Sequence, residues 1–411
     1  MRIRNAQAAR WRHLPAGVRD QTADDVARRR WLEGRLQELF ARWGYVEVTT
    51  PTLEFVDTLV RGAGPAVADR LLKLVDGGGE VLALRPEMTV PLARFAATRL
   101  LPAGELPLRL SYVVPVFRGQ ERGSGQLREF TQAGVELVGT PGVAADVEVI
   151  ALAAAALREA GLVEPSLSLG HAGFLRGILS TLPDDAADAA RDLLYRRAFA
   201  ELSRVVPSGP ALDALHAVPA LRGATALDQA RGLATAPESV EALATLREVL
   251  IGLDAHALEV AIEVDLGLVR DFDYYSGVVF EAHDARAGQP LLGGGRYDNL
   301  LARFGAPAPA TGFAIGVDRV LDASAGGTAA RPTVLIRYQP GAYARAVQAA
   351  GRLRDERLAV VVEAASDTPR RARAVCTITI PRDGLSIDMA PAADGPAGAI
   401  AALVRGALEG R

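Results

Sequence analysis

The sequence predicts an α+β fold: an antiparallel sheet flanked by helices, with an inserted helical domain and a small C-terminal α/β domain. Three observations carry that expectation. Strand-like runs recur before residue 170 and again after residue 256. The stretch between them is rich in Ala and Leu, broken by Pro and Gly, and poor in strand signal. A run of small residues, 322–332, then precedes a short strand–helix–strand pattern. Runs of strands and runs of helices segregated in this way indicate α+β rather than alternating α/β.

The elements follow in order. Thr22 with Asp25 reads as a helix start, with a carboxylate at the positive end of the helix dipole. Val26, Leu32, Leu36, Leu39, Phe40 and Trp43 then share a broad helical face, and Gly44 suits the C-terminal cap. "YVEVTTPTLEF" reads as a short strand reaching Pro51, and "EVLALRPEMT" as a strand with a polar end. "LPLRLSYVVPVFRGQERGSGQLREFTQAGVELVG" reads as two strands around a polar loop that carries Gly119, Gly123 and Gly125. Ala144 to Ala160 is a strong helix. Strand signals return at "LEVAIEVDLG", "YYSGVVFEAH" and "GFAIGV". After the linker come "TVLIRY", a helix near Ala342 to Leu353, and "LAVVVEA". The expected divisions are 1–169 and 257–322 for the two parts of the sheet domain, and 170–256 for the helical one. A linker at 323–330 and a terminal domain at 331–411 complete them.

Composition narrows the function. The chain has 411 residues and a formal net charge of −3, which does not suit a surface that grips nucleic acid throughout. Cys376 is the one cysteine, so no internal disulfide forms and a thiolate metal site is excluded. The N-terminal "MRIRNAQAARWRHLPAG" lacks a signal-peptide core, and no apolar run is long enough to span a membrane. A reducing cytoplasm is expected.

Four stretches place polar chemistry in strand-like surroundings. "LRPEMT" offers Arg85, Glu87 and Thr89 on one face if the strand persists through Pro86. "FRGQERGSGQLREFTQAGVE" offers Arg118, Gln132 and Glu136, the last two four apart and so on one strand face. "RDFDYYSGVVFE" offers Arg270, Tyr274, Tyr275 and Glu281, and "GGGRYD" with "GVDR" offers Arg296, Tyr297, Asp298, Asp318 and Arg319. Any one of these fits a solvated strand face or a structural ion pair equally well. Together they indicate a site, because buried charge is costly unless it is paired or bound. The carboxylates suit a ligand's ammonium group, and the arginines a carboxylate or phosphate.

These stretches resemble histidyl-tRNA synthetase, a class II synthetase. "TTPTLE" is similar to the first class motif, which implies Pro51 at a dimer interface; "VFRGQ…REFTQAGVE" and "GFAIGVDR" resemble the second and third. "LVRDFDYYSGVVFE" resembles the histidine-recognition stretch of that family. The resemblance, over roughly residues 14–322, implies a class II synthetase-like core. It also implies that Glu87, Thr89, Arg118, Gln132, Glu136, Arg270, Tyr274 and Tyr275 surround histidine. The departures are specific. Gln120 stands for a carboxylate near adenine, Gln126 for a loop arginine, Met88 for a glycine that leaves room, and Asp318 for Glu. These, with "LSLGHAG" and "GGGRYDNLLARFGAPAPATGF", resemble the regulatory subunit of ATP phosphoribosyltransferase. That family implies no catalytic residue and no cofactor or metal. It implies a self-dimer in a hetero-octamer with the short-form catalytic subunit, and histidine as effector in the first step of histidine biosynthesis. Residues 331–411 carry 12 arginines against 8 acids and read as a degenerate anticodon-binding-like domain, so tRNA is not expected. Arg270 is shared with the synthetase, and an active histidyl-tRNA synthetase is the alternative.

Overall fold

A computed structural model describes residues 12–104, 106–119, 126–269, 274–324, 326, 333–365 and 374–381. The chain divides into two compact units, residues 1–20 with 29–326, and residues 21–28 with 327–411.

The first helix, Ala23–Arg42, starts as its sequence requires: the Thr22 hydroxyl donates to the Asp25 carboxylate at 2.7 Å, which also accepts from the Thr22 backbone N–H. Leu32, Leu36, Leu39 and Phe40 enter the main hydrophobic core.

That core lies against a sheet of eight strands: β1 (Val46–Glu47), β5 (Leu108–Phe117), β6 (Glu129–Val138), β7 (Ser166–His171), β8 (Ala261–Val264), β9 (Val278–His283), β10 (Leu292–Arg296) and β11 (Ala310–Gly316). Their order is β1-β5-β6-β11-β10-β9-β7-β8. The central pairings are antiparallel, as expected, but β1 pairs with β5 and β7 with β8 in parallel. The reason is connectivity. Parallel neighbours need a long crossover, and the chain between β7 and β8 is the run of helices from Ala172–Leu179 to Pro237–Asp254. Those helices share the sheet's core: Phe174, Leu194, Leu215 and Leu246 belong to one buried cluster with Val135, Leu137 and Phe280. The Ala-rich helix Val143–Glu159 is buried along most of its length, and its small side chains allow close approach to the sheet.

A separate small sheet, order β2-β4-β3, joins β2 (Leu53–Phe55), β3 (Leu72–Val75) and β4 (Val81–Leu84). Its register aligns Leu53, Leu84 and Leu72 in one row and Phe55, Leu82 and Leu74 in the next. Leu53, Phe55 and Leu74 of these rows remain exposed.

The second unit holds a parallel sheet, order β13-β12-β14, from β12 (Thr333–Tyr338), β13 (Ala359–Ala364) and β14 (Ala374–Ile380), with the helix Tyr343–Asp355. Val334, Ile336, Ala346, Leu353 and Ile378 form its core. The segment "RDGLSIDMAPAADGPAGAIAALVRG", part of the stretch that reads as degenerate and anticodon-binding-like, lies outside the described residues. Among the described residues no helix is long and apolar enough to cross a membrane, and no group of His, Cys, Asp and Glu is placed to hold a metal ion.

Candidate functional site

A cleft of about 420 Å³ opens over β6, β11, β10 and β9. Glu87, Thr89, Arg118, Gln132, Tyr274 and Tyr275 line it. Glu136 lies just beneath, joined to two lining residues through Thr89 and Tyr297. Arg270 and Gln120 lie outside the described residues.

The strand expected to run through Pro86 stops at Leu84. Proline has no N–H for a ladder and biases the residue before it away from helix, so the chain turns there and re-forms as the helix Thr89–Phe95. Arg85 therefore does not share a face with Glu87. Its guanidinium donates to the carbonyls of Thr50 at 2.6 Å and Pro115 at 3.0 Å, tying the framework together. Met88 also differs from its expected place. It is fully buried against Thr50, whose hydroxyl donates to its sulfur at 3.5 Å, so it does not occupy the cleft.

Two buried carboxylates form the floor. Glu87 accepts from the backbone N–H groups of Thr89 at 2.7 Å and Val90 at 2.9 Å, and so starts the following helix. Burial raises its pKa, against those hydrogen bonds and the Arg118 charge. Glu136 accepts from the Thr89 hydroxyl at 2.8 Å and from the Tyr297 hydroxyl. Burial pushes its pKa up to about 8; the two hydrogen bonds oppose the rise, and the Glu87 charge adds to it. Opposite it in the β6–β11 ladder stands Gly312, where an added Cβ would lie 1.9 Å from a Glu136 carboxylate oxygen. Only glycine leaves the carboxylate its space. Gln132, on the same face of β6, is 7% exposed, and its side-chain oxygen has no hydrogen-bond partner among the described residues.

Aromatic rings form the next wall. The Tyr274 and Tyr275 rings lie 4.8 Å apart, and Tyr297 meets Tyr274 edge-on at 5.6 Å. Burial holds the Tyr274 and Tyr297 phenols well above their ordinary pKa, so both are neutral donors.

The cations at the rim are largely committed. Arg118 donates to the Pro86 carbonyl at 2.8 Å and lies 5.2 Å over the Phe130 ring. Arg319 donates to the Pro290 carbonyl at 2.9 Å. Asp318 accepts from Arg19 at 3.0 Å and from the Thr131 backbone at 2.8 Å, a framework role. A smaller cavity of about 240 Å³ adjoins the cleft, lined by Gln126, Phe130, Asp318 and Arg319. Arg296 belongs elsewhere: it is buried between Asp146 and Asp298, both at 3.0 Å.

Sequence reasoning singled out Tyr297 and Glu281 as polar residues without placing them in the site. Glu281 lines the cleft, and Tyr297 both lines it and caps Glu136. Tyr195 and Arg197, also in the lining, were missed. The lining sets Glu87 and Gln132 beside the tyrosine rings, a chemistry suited to a small molecule with a cationic end and an apolar ring or chain.

The fold places the chain among histidyl-tRNA synthetase-like proteins: the family model described as histidyl-tRNA synthetase matches residues 17–320. A histidyl-tRNA synthetase from Nostoc shares the fold at a TM-score of 0.72 and 18% identity, over 90% of this chain and 91% of that one. Curated relatives narrow the assignment. The ATP phosphoribosyltransferase regulatory subunit of Moorella thermoacetica is 45% identical over 75% of this chain and 81% of its own length. That of Symbiobacterium thermophilum is 43% identical over 85% and 90%. A Bacillus halodurans crystal structure, titled an ATP phosphoribosyltransferase regulatory subunit/histidyl-tRNA synthetase, matches at a TM-score of 0.82 and 32% identity, covering 90% of this chain and 98% of that one. The chain belongs to the ATP phosphoribosyltransferase regulatory subunit family, a branch of the histidyl-tRNA synthetase-like fold.

Proposed function

We propose that this chain activates a short-form ATP phosphoribosyltransferase catalytic subunit, at the first step of histidine biosynthesis, and carries histidine feedback to it. The observation that carries this reading is the run of relatives at 36–45% identity that bear the regulatory-subunit name. The cleft supports the histidine part. Of its buried acids Glu87 has the Arg118 charge nearby, Glu136 is met among the described residues by two neutral hydroxyls, and the aromatic wall suits an imidazole. For feedback, histidine must bind the inhibited assembly more tightly than the active one; equal affinity shifts nothing. In this reading the chain dimerises and joins four catalytic subunits in a hetero-octamer, with no aminoacylation of its own. The exposed apolar rows on the small sheet support self-association. Gln126, in place of a loop arginine, faces both the cleft and the smaller cavity, which supports the loss of ATP chemistry.

The second reading, an active histidyl-tRNA synthetase, is favoured by the joint title of the Bacillus halodurans structure. Two assays separate them. Purified chain with histidine, ATP and labelled pyrophosphate is expected to give no isotope exchange, and steady exchange rules for the synthetase. Mixed with a short catalytic subunit, the chain is expected to co-elute and raise phosphoribosyl transfer. Separate elution at every concentration refutes the regulatory role.

A further inference from the structure

The helices between β7 and β8 contribute two residues to the cleft lining, Tyr195 and Arg197, both just past or at the end of the helix Asp184–Tyr195. That helix closes with a Schellman pattern: the Arg197 N–H donates to the Leu194 carbonyl at 3.0 Å, and the Ala198 N–H to the Leu193 carbonyl at 2.8 Å. Arg197 is thus the residue after the cap, in left-handed backbone at φ 55. Glycine takes that conformation freely, whereas a residue with a Cβ meets a cost of about 1–2 kcal/mol. Arg357 takes the same conformation after the helix Tyr343–Asp355, so the backbone alone gives Arg197 no functional reason.

Its surroundings supply one. Among the described residues the Arg197 guanidinium forms no hydrogen bond and no ion pair, while Arg118 and Arg319, also in the lining, are each tied to a backbone carbonyl. The lining brings Glu87, with Glu136 beneath it, together with the guanidinium groups of Arg70, Arg118, Arg197 and Arg319. A ligand that satisfies both kinds of group carries a positive and a negative charge, as a free α-amino acid does. The geometry points to Arg197 as a positioning residue that takes the carboxylate of the bound amino acid, so that occupancy of the cleft is felt by the helices between β7 and β8. The inference rests on the cleft being the amino-acid site.

The test uses the full chain, with L-histidine and with L-histidinol, which keeps the ammonium and imidazole but lacks the carboxylate. In a calorimeter, Arg197→Gly is expected to weaken histidine about tenfold, the loss of one charged hydrogen-bonded contact, and to leave histidinol unchanged. The variant is compatible with φ 55, so its melting temperature should hold or rise. Hydrogen exchange over residues 184–198 should slow when histidine binds the parent chain, and this slowing should vanish in Arg197→Gly. Unchanged histidine affinity, or equal weakening of histidinol, overturns the role of Arg197 while the amino-acid site stands. Failure of the parent chain to bind histidine at all overturns the site and the inference together.

Discussion

Two buried acids in this molecule face opposite circumstances. Asp146 sits against Arg296, which also bridges Asp298 and the Gly142 carbonyl, so charge and hydrogen bonds close on themselves. Glu136 is equally buried, yet its partners are two neutral hydroxyls and its nearest charged neighbour is another carboxylate. The first arrangement is complete as it stands. The second avoids a heavy desolvation cost by holding its proton, its pKa pushed up to about 8, and an arriving cation would favour the ionised form. A buried acid therefore marks a candidate site by what is missing around it.

The contrast can be broken at four points. Arg296→Ala leaves Asp146 buried without a partner and should destabilise the fold by about 3–5 kcal/mol, read by chemical denaturation. Met88→Ala should cost about 2–5 kcal/mol of stability, because its side chain fills the core beside Thr50. Histidine affinity should be unmoved; improved affinity would return Met88 to the cleft. Glu136→Gln should leave the fold intact or firmer, since it removes an uncompensated acid, and should weaken histidine by about 2 kcal/mol in calorimetry. Smallest is the response to pH. An ammonium ligand prefers the ionised carboxylate, so histidine affinity should rise roughly tenfold from pH 6.5 to 8.5, as Glu136 passes through its value of about 8. Binding should release protons near pH 7. Stability of the unliganded chain runs the other way. The folded carboxyl holds its proton to higher pH than the unfolded one, so this group's contribution falls as pH rises from about 4.5 towards 8.

Much of this was legible in the residues, and the rest was not for definite reasons. Gln132 and Glu136 share a face because strand side chains alternate, and the strand carrying them is long. Glu87 and Thr89 reach the same cleft by another route, a turn and a helix start, which alternation cannot foresee past a proline. Met88 looked obstructive because sequence gives its neighbours but not its direction. The parallel pairings at the sheet edges depend on where the chain returns after a long excursion, and no local pattern encodes that. Arg197 escaped notice because it enters the site through the end of a helix rather than through a strand or a motif.

The return of that excursion has a consequence for engineering. β7 and β8 run parallel with Ser166 opposite Ala261, so the chain leaves at the far end of β7 and must run back along the whole strand before it enters β8. A short linker cannot make that return and keep the register. The core would fail as well, since without Phe174, Leu194 and Leu246 the side chains of Val135, Leu137 and Phe280 would open to water. Topology and packing both hold the segment in place, and any truncated version must keep a crossover of full strand length and supply a new apolar cover.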